Sequence, residues 1–154
     1  MSRIRALLGG EWLAVRVQIG LGAVFVAAGW PKLVDPPSFA KNIWAYGLLP
    51  DGLINVQALT MPGIELVVGL ALILGVWRRG AATVAAGLLL VFMVALSRAL
   101  IEGNPVSCGC FDLHAAPKSD AELLRDLRMV LLRDVGLMAM ALHGIWGPRR
   151  GADV

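Results

Sequence analysis

The chain has 154 residues, of which 58% are hydrophobic and 16% charged, with a formal net charge of +3. Soluble domains contain about 45–50% apolar residues, so the excess here, gathered in long runs, indicates lipid as the surrounding solvent. The basic residues flank those runs, which is typical of membrane topology signals and not of a nucleic-acid interface. We therefore expect one membrane domain over residues 1–154 and no nucleic-acid partner.

Four apolar segments are long enough to cross a bilayer, which takes about 20 helical residues. With their flanking turns they cover residues of about 12–32, 53–77, 80–101 and 122–146. No small-residue cleavage site precedes "GWPKL", so the first run is interpreted as a retained span and not as a signal peptide. The sequence thus predicts an all-α, integral membrane four-helix bundle.

A short helix is predicted between the first two spans, in "DPPSFAKNIWAYGLLPDG". Phe39, Ile43 and Trp44 follow helical spacing, as in an amphipathic helix that lies at a membrane surface. Such a helix could cover the end of the bundle, or it could be a plain connector.

The orientation follows from the arginines. Four spans place both termini on one face, and the two faces carry seven Lys and Arg residues each. The arginines on the terminal face cluster in short flanks, where the positive-inside rule applies best. We therefore expect cytoplasmic termini in a bacterial inner membrane. The segment "NPVSCGCFDLH" then faces the periplasm, where disulfides persist.

Several ionisable residues fall at the ends of the predicted spans, at the depth of that segment. Charges inside a span are costly and are therefore functional candidates. One interpretation is a salt-bridge network that holds the helices together. The other is a polar chamber in which the cations stabilise a thiolate and the acids move protons. The candidates are Lys32, Glu65, Arg98, Arg133 and Asp134.

The only two cysteines of the chain, Cys108 and Cys110, are separated by Gly109. A disulfide between them would close a small, strained ring, and strained disulfides are the more oxidising, catalytic ones. As a structural staple it would gain little, because the loop is so short. Three alternatives stay open: a soft-metal site completed by His114, pairing with thiols of a partner chain, and incidental free thiols.

The sequence resembles the MauE branch of the DoxX-like membrane proteins from about Val15 to Met138. The resemblance is carried by "AYGLLP", "PGIELVVGL", "CGCF" and "LLRDVGLM"; the family often has Gly after the Phe, where this chain has Asp112. It implies a four-helix inner-membrane protein linked to maturation of methylamine dehydrogenase, whose small subunit is rich in disulfides, with a periplasmic thioredoxin-like partner. Family positions matched here are Cys108 and Cys110, with the polar residues Arg16, Lys32, Glu65 and Arg133.

The leading hypothesis is a membrane thiol–disulfide component in which Cys108 and Cys110 are the catalytic pair. It would exchange electrons with a thioredoxin-like protein or a maturing redox enzyme, and a membrane quinone is the candidate cofactor; no metal is expected. One alternative is a non-catalytic membrane anchor or assembly subunit of a redox complex. Another is a carrier for a small solute or metal, with a path lined by Arg16, Glu65 and Arg98. Near the terminal face, lipid snorkelling explains Arg16.

Overall fold

The computed structural model describes residues 12–106 and 118–146 of the chain. The regular structure of those residues is helical throughout, which confirms the all-α prediction. Four of the helices are long and apolar enough to cross a membrane, so the chain is a multi-pass membrane protein, as predicted. The helices are α1 (Trp12–Val34), α2 (Pro36–Tyr46), α3 (Asp51–Leu74), α4 (Arg78–Glu102) and α5 (Asp120–Trp146).

The outer surface of the long helices is apolar. Val67 of α3 and Leu132 of α5 are each 68% exposed, and Val94 of α4 is 60% exposed. Water would make such a surface unfavourable, whereas lipid tails accept it. The exterior therefore agrees with helices that face lipid.

The backbones of α1 and α3 come into close contact through glycines. A Cβ atom on Gly22 would lie 2.6 Å from the carbonyl oxygen of Gly69, and one on Gly69 would lie 2.8 Å from that of Gly22. Gly29 faces α3 as well, whereas Gly87 and Gly136 have nothing within 4 Å. Small residues allow this approach of membrane helices, so Gly22, Gly29 and Gly69 are interface residues.

The predicted span limits lie within three residues of the observed helix ends, and two of the differences have a clear local cause. α3 ends at Leu74, because Gly75 takes a left-handed conformation with φ of 72°. α5 begins at Asp120, because Ser119 and Glu122 form a capping box. The backbone N–H of Ser119 donates to Oε2 of Glu122 at 2.9 Å, and the backbone N–H of Glu122 donates to Oγ of Ser119 at 3.4 Å. Local chemistry at the ends, rather than hydropathy, sets these limits.

The antiparallel order of the spans brings four helix ends to one side of the bundle, which we call the loop end. These are the end of α1, the start of α3, the end of α4 and the start of α5. α2 connects α1 to α3 there and packs on α3. Its N terminus is capped by Asp35, whose Oδ1 accepts from the backbone N–H of Ser38 at 3.2 Å. The predicted short helix is therefore present. Its Phe39 side chain is buried and its Trp44 side chain is exposed.

Candidate functional site

A buried ion pair joins α1 to α3 near the loop end. Nζ of Lys32 donates to both carboxylate oxygens of Glu65, at 2.8 and 2.9 Å. The two side chains are 1% and 2% exposed. Nζ also lies 5.0 Å from the ring centre of Phe39 and 4.8 Å from that of Phe92. The ammonium group is thus enclosed by a carboxylate and by two aromatic rings, whose faces attract cations.

The close contact of α1 with α3 explains why this pair can form. Gly29 lies one turn before Lys32, and a Cβ atom there would be 3.1 Å from Cβ of Glu65 and 3.2 Å from the carbonyl oxygen of Pro62. Lys32 also belongs to the last turn of α1, where the helix dipole favours a cation. The glycine contact and the dipole therefore act together at this position.

A second pair lies in α5. Nε and Nη2 of Arg133 donate to Oδ1 of Asp134, at 3.0 and 2.7 Å. Asp134 is 3% exposed and Arg133 is 33% exposed. The charges of both residues act on Lys32, so the two pairs belong to one electrostatic cluster. With two cations and two carboxylates, the cluster is balanced, as buried charges need to be.

Tyr46, at the C terminus of α2, completes the surroundings of this cluster. Burial, reinforced by the negative charge of Asp134, raises the pKa of the Tyr46 phenol to about 12. The hydroxyl therefore keeps its proton at neutral pH and can donate a hydrogen bond. Sequence reasoning missed Tyr46, and it missed Phe92 as well, because an aromatic residue within an apolar run carries no local signal of a neighbouring charge.

Arg98 does not join the cluster. Its Nε donates to Oε1 of Glu102, one turn later in α4, at 2.7 Å. The two side chains are 56% and 47% exposed. The structure therefore brings together Lys32 with Glu65 and Arg133 with Asp134, and it places Arg98 on the outer surface.

Two further polar residues lie toward the opposite end of the bundle. Arg16 is exposed on α1. His143, near the end of α5, is partly buried, and its Nε2 has no hydrogen-bond partner within the described residues. Neither position lies at the loop end.

The chain that leads into the cysteine segment is attached to the loop end. Nδ2 of Asn104 donates to the carbonyl oxygen of Ala45 in α2, at 3.2 Å. Val106 is 5% exposed and packs in a buried cluster with Leu96 and Leu127. Three residues of the predicted site lie outside the described part of the chain: Cys108, Cys110 and His114.

The described residues offer no obvious metal centre. No group of three or more His, Cys, Asp or Glu side chains suited to an ion occurs within 12–106 and 118–146. The arrangement at the loop end can hold buried charge, present a phenol, and anchor the segment that carries the cysteines. The soft-metal alternative at Cys108, Cys110 and His114 stays a prediction.

Comparison with known proteins adds a family relationship. The family model described as methylamine utilisation protein MauE matches residues 10–147. The methylamine utilization protein MauE of Paracoccus denitrificans is 36% identical over 96 residues, which cover 62% of this chain and 52% of that protein. Its counterpart in Methylophilus methylotrophus is 30% identical over 141 residues, which cover 91% of this chain and 71% of that protein.

The match is extensive along this chain but not along the first of these relatives, since the chain spans about half the length of the Paracoccus protein. No solved structure matches the chain significantly.

Proposed function

This chain belongs to the MauE family of methylamine utilisation proteins, and from that premise we propose that it is a membrane thiol–disulfide component that helps a periplasmic redox enzyme to mature. The client would be an enzyme of the methylamine dehydrogenase kind, reached directly or through a thioredoxin-like partner. Cys108 and Cys110 would be the reacting pair, with the wider relation to DoxX-like proteins remaining a prediction.

The proposed reaction is an exchange of one disulfide for another. A thiolate of the client or partner attacks the Cys108–Cys110 disulfide and forms a mixed disulfide. The second client thiolate then displaces the remaining cysteine of this chain. The client gains a disulfide and loses two electrons and two protons, and the cysteine pair becomes a dithiol. In this way both electrons pass to the membrane protein.

The observation that carries the proposal is how the chain enters the cysteine segment. Asn104 is hydrogen-bonded to α2, and Val106, two residues before Cys108, is buried in the bundle. Both attachments fix the chain just before the cysteines to the bundle. They support a segment whose base is held near the loop end, as an exchange site on a membrane scaffold requires.

The buried charges support the proposal in a more limited way. Lys32 is 1% exposed, and Glu65 and two aromatic rings already surround its ammonium group, which favours a structural role in holding α1 to α3. Arg133 is the more accessible cation of the cluster. A cation near a thiol lowers its pKa and favours the reactive thiolate, so Arg133 is the better candidate for assisting the exchange.

Thiol trapping in intact cells tests the proposal. A membrane-impermeant maleimide would be applied with and without prior reductant, and the activity and disulfide content of the client enzyme would be measured in the same cells. We expect labelling to require reductant. We also expect Cys108→Ser and Cys110→Ser each to abolish client maturation, whereas the neighbouring control Ser107→Ala retains it.

Two results would reject it. One is a cysteine pair that is fully reduced in native cells, and the other is normal client maturation in the double Ser variant. If a client or partner still co-purifies with the double Ser variant and matures normally, the protein is a non-catalytic assembly subunit.

A further inference from the structure

A cavity of 380 Å³ lies at the loop end between α2, α3 and α4. Its walls are mostly apolar, and ligand pockets typically have volumes of about 300–1,000 Å³ with this kind of lining. Leu90, Val91 and Val94 of α4 line the cavity and are also exposed on the outside of the bundle. Because α4 is a membrane span, an occupant would enter from the lipid.

Three polar side chains line the cavity on two neighbouring helices. Asn42 and Tyr46 lie four residues apart on α2 and therefore share one face of it, and Gln57 faces them from α3. Nδ2 of Asn42 is buried and has no hydrogen-bond partner within the described residues. Nε2 of Gln57 donates to the sulfur of Met61 at 3.3 Å. A thioether sulfur is a weak acceptor, so an oxygen atom of a ligand could take its place.

The donors point to the chemistry of the occupant. An Asn amide, a Tyr hydroxyl that keeps its proton and a Gln amide can all donate hydrogen bonds to oxygen acceptors. The cavity is lined by no charged side chain among the described residues, so a phosphate or carboxylate head group would lie there without a counter-charge. A bare acyl chain would leave the donor of Asn42 unpaired.

The aromatic lining favours a flat molecule. Phe39 and Phe92 form part of the wall, and planar rings stack well on aromatic side chains. We propose that this cavity binds the head group of a membrane quinone, a planar ring with carbonyl oxygens, while its tail leaves between the exposed side chains of α4. The Asn42 amide and the Tyr46 hydroxyl would donate to the carbonyl oxygens.

The cavity also shares residues with the base of the cysteine segment. Leu96 lines the cavity and packs with Val106 in one buried cluster, to which Tyr46 and Phe92 contribute as well. If the proposed thiol exchange is correct, oxidation of the dithiol to a disulfide releases two electrons and two protons, and the quinone takes up both to become a quinol. Binding itself does not depend on that exchange.

Equilibrium binding of decylubiquinone to the purified full-length protein in lipid nanodiscs tests the site, with quenching of tryptophan fluorescence as the readout. We expect saturable binding that Asn42→Ala weakens about tenfold, the equivalent of one hydrogen bond. The control Asn55→Ala changes an exposed asparagine of α3 outside the cavity and should bind normally. Ala95→Phe, which fills the cavity, should abolish binding, and Tyr46→Phe tests the second donor without removing the ring.

Three results would overturn the site. The first is no saturable binding, and the second is an equal loss of affinity in Asn42→Ala and Asn55→Ala. The third is equal affinity for a decyl-substituted benzene without carbonyls, which would make the cavity a lipid groove. A Cys108→Ser and Cys110→Ser double variant separates the two proposals. It should bind decylubiquinone normally and fail to reduce it when dithiothreitol is supplied. Normal reduction would reject the thiol role while leaving the quinone site in place.

Discussion

Two ion pairs near the loop end have similar N–O distances but differ in burial and in the helices that they connect. Lys32 and Glu65 approach to 2.8 Å, and Arg98 and Glu102 approach to 2.7 Å. The first pair joins two helices and is almost fully buried, whereas the second lies along α4 and is about half exposed. The comparison teaches that the distance within a pair says little about its importance, and that what the pair connects says more.

The physical reason is desolvation. Removing one partner of a buried pair leaves the other charge without water or counter-ion, at a cost of about 3–5 kcal/mol. An exposed pair four residues apart on a helix contributes about 0.3–0.5 kcal/mol, because water solvates either partner that is left alone. The variants below test this difference, in order of expected effect.

The largest effect is expected from Glu65→Ala, which leaves the Lys32 ammonium group buried without its carboxylate. We expect the free energy of unfolding to fall by about 3–5 kcal/mol, measured by SDS titration of the protein in mixed micelles. Glu102→Ala in the exposed pair is the matched control. Equal losses in the two variants would show that burial does not distinguish the pairs.

The glycine contact between α1 and α3, at Gly22 and Gly69, can be tested next. Gly69→Ala places a Cβ atom 2.8 Å from the carbonyl oxygen of Gly22, which a backbone shift must relieve, and we expect a loss of about 1–3 kcal/mol. Gly136→Ala, in a helix with open space around it, should cause no loss. If both variants unfold alike, the close approach of α1 and α3 is not required for stability.

Removing both charges of the buried pair separates structure from function. A Lys32→Met and Glu65→Leu double variant keeps similar side-chain volumes and leaves no buried charge unpaired. We expect its stability to lie within about 1.5 kcal/mol of the native protein, far from that of Glu65→Ala. Client maturation in this variant then reports on the pair alone: normal maturation agrees with a structural role, and its loss in a stable variant would contradict that role.

The smallest effect is expected from the exposed pair itself. Arg98→Ala should reduce the free energy of unfolding by about 0.3–0.5 kcal/mol, and added salt should reduce that difference further, because exposed charges are screened. The same titration at low and high salt measures both. A loss of several kcal/mol would mean that Arg98 holds more of the bundle together than its contact with Glu102 suggests.

Much of the fold could be predicted because its signals are local. Long apolar runs predicted the four spans, and the spacing of Phe39 and Trp44 predicted α2. The start of α5 was predicted near Glu122, and the capping box of Ser119 and Glu122 places it at Asp120. The partner of Arg98 was missed because a charge at the end of a span can point inward or outward, and hydropathy does not distinguish the two.

The sequence by itself determined the solvent of this protein, the number and nature of its helices and its membership in a family, because hydropathy and motif content are properties of contiguous residues. Only the tertiary structure decided that Lys32 meets Glu65 and that Asn42, Tyr46 and Gln57 line one cavity. Those contacts depend on how closely and at what register the helices pack. Gly22 and Gly69 allow the close approach of α1 and α3, and their effect appears only when those two helices are placed together.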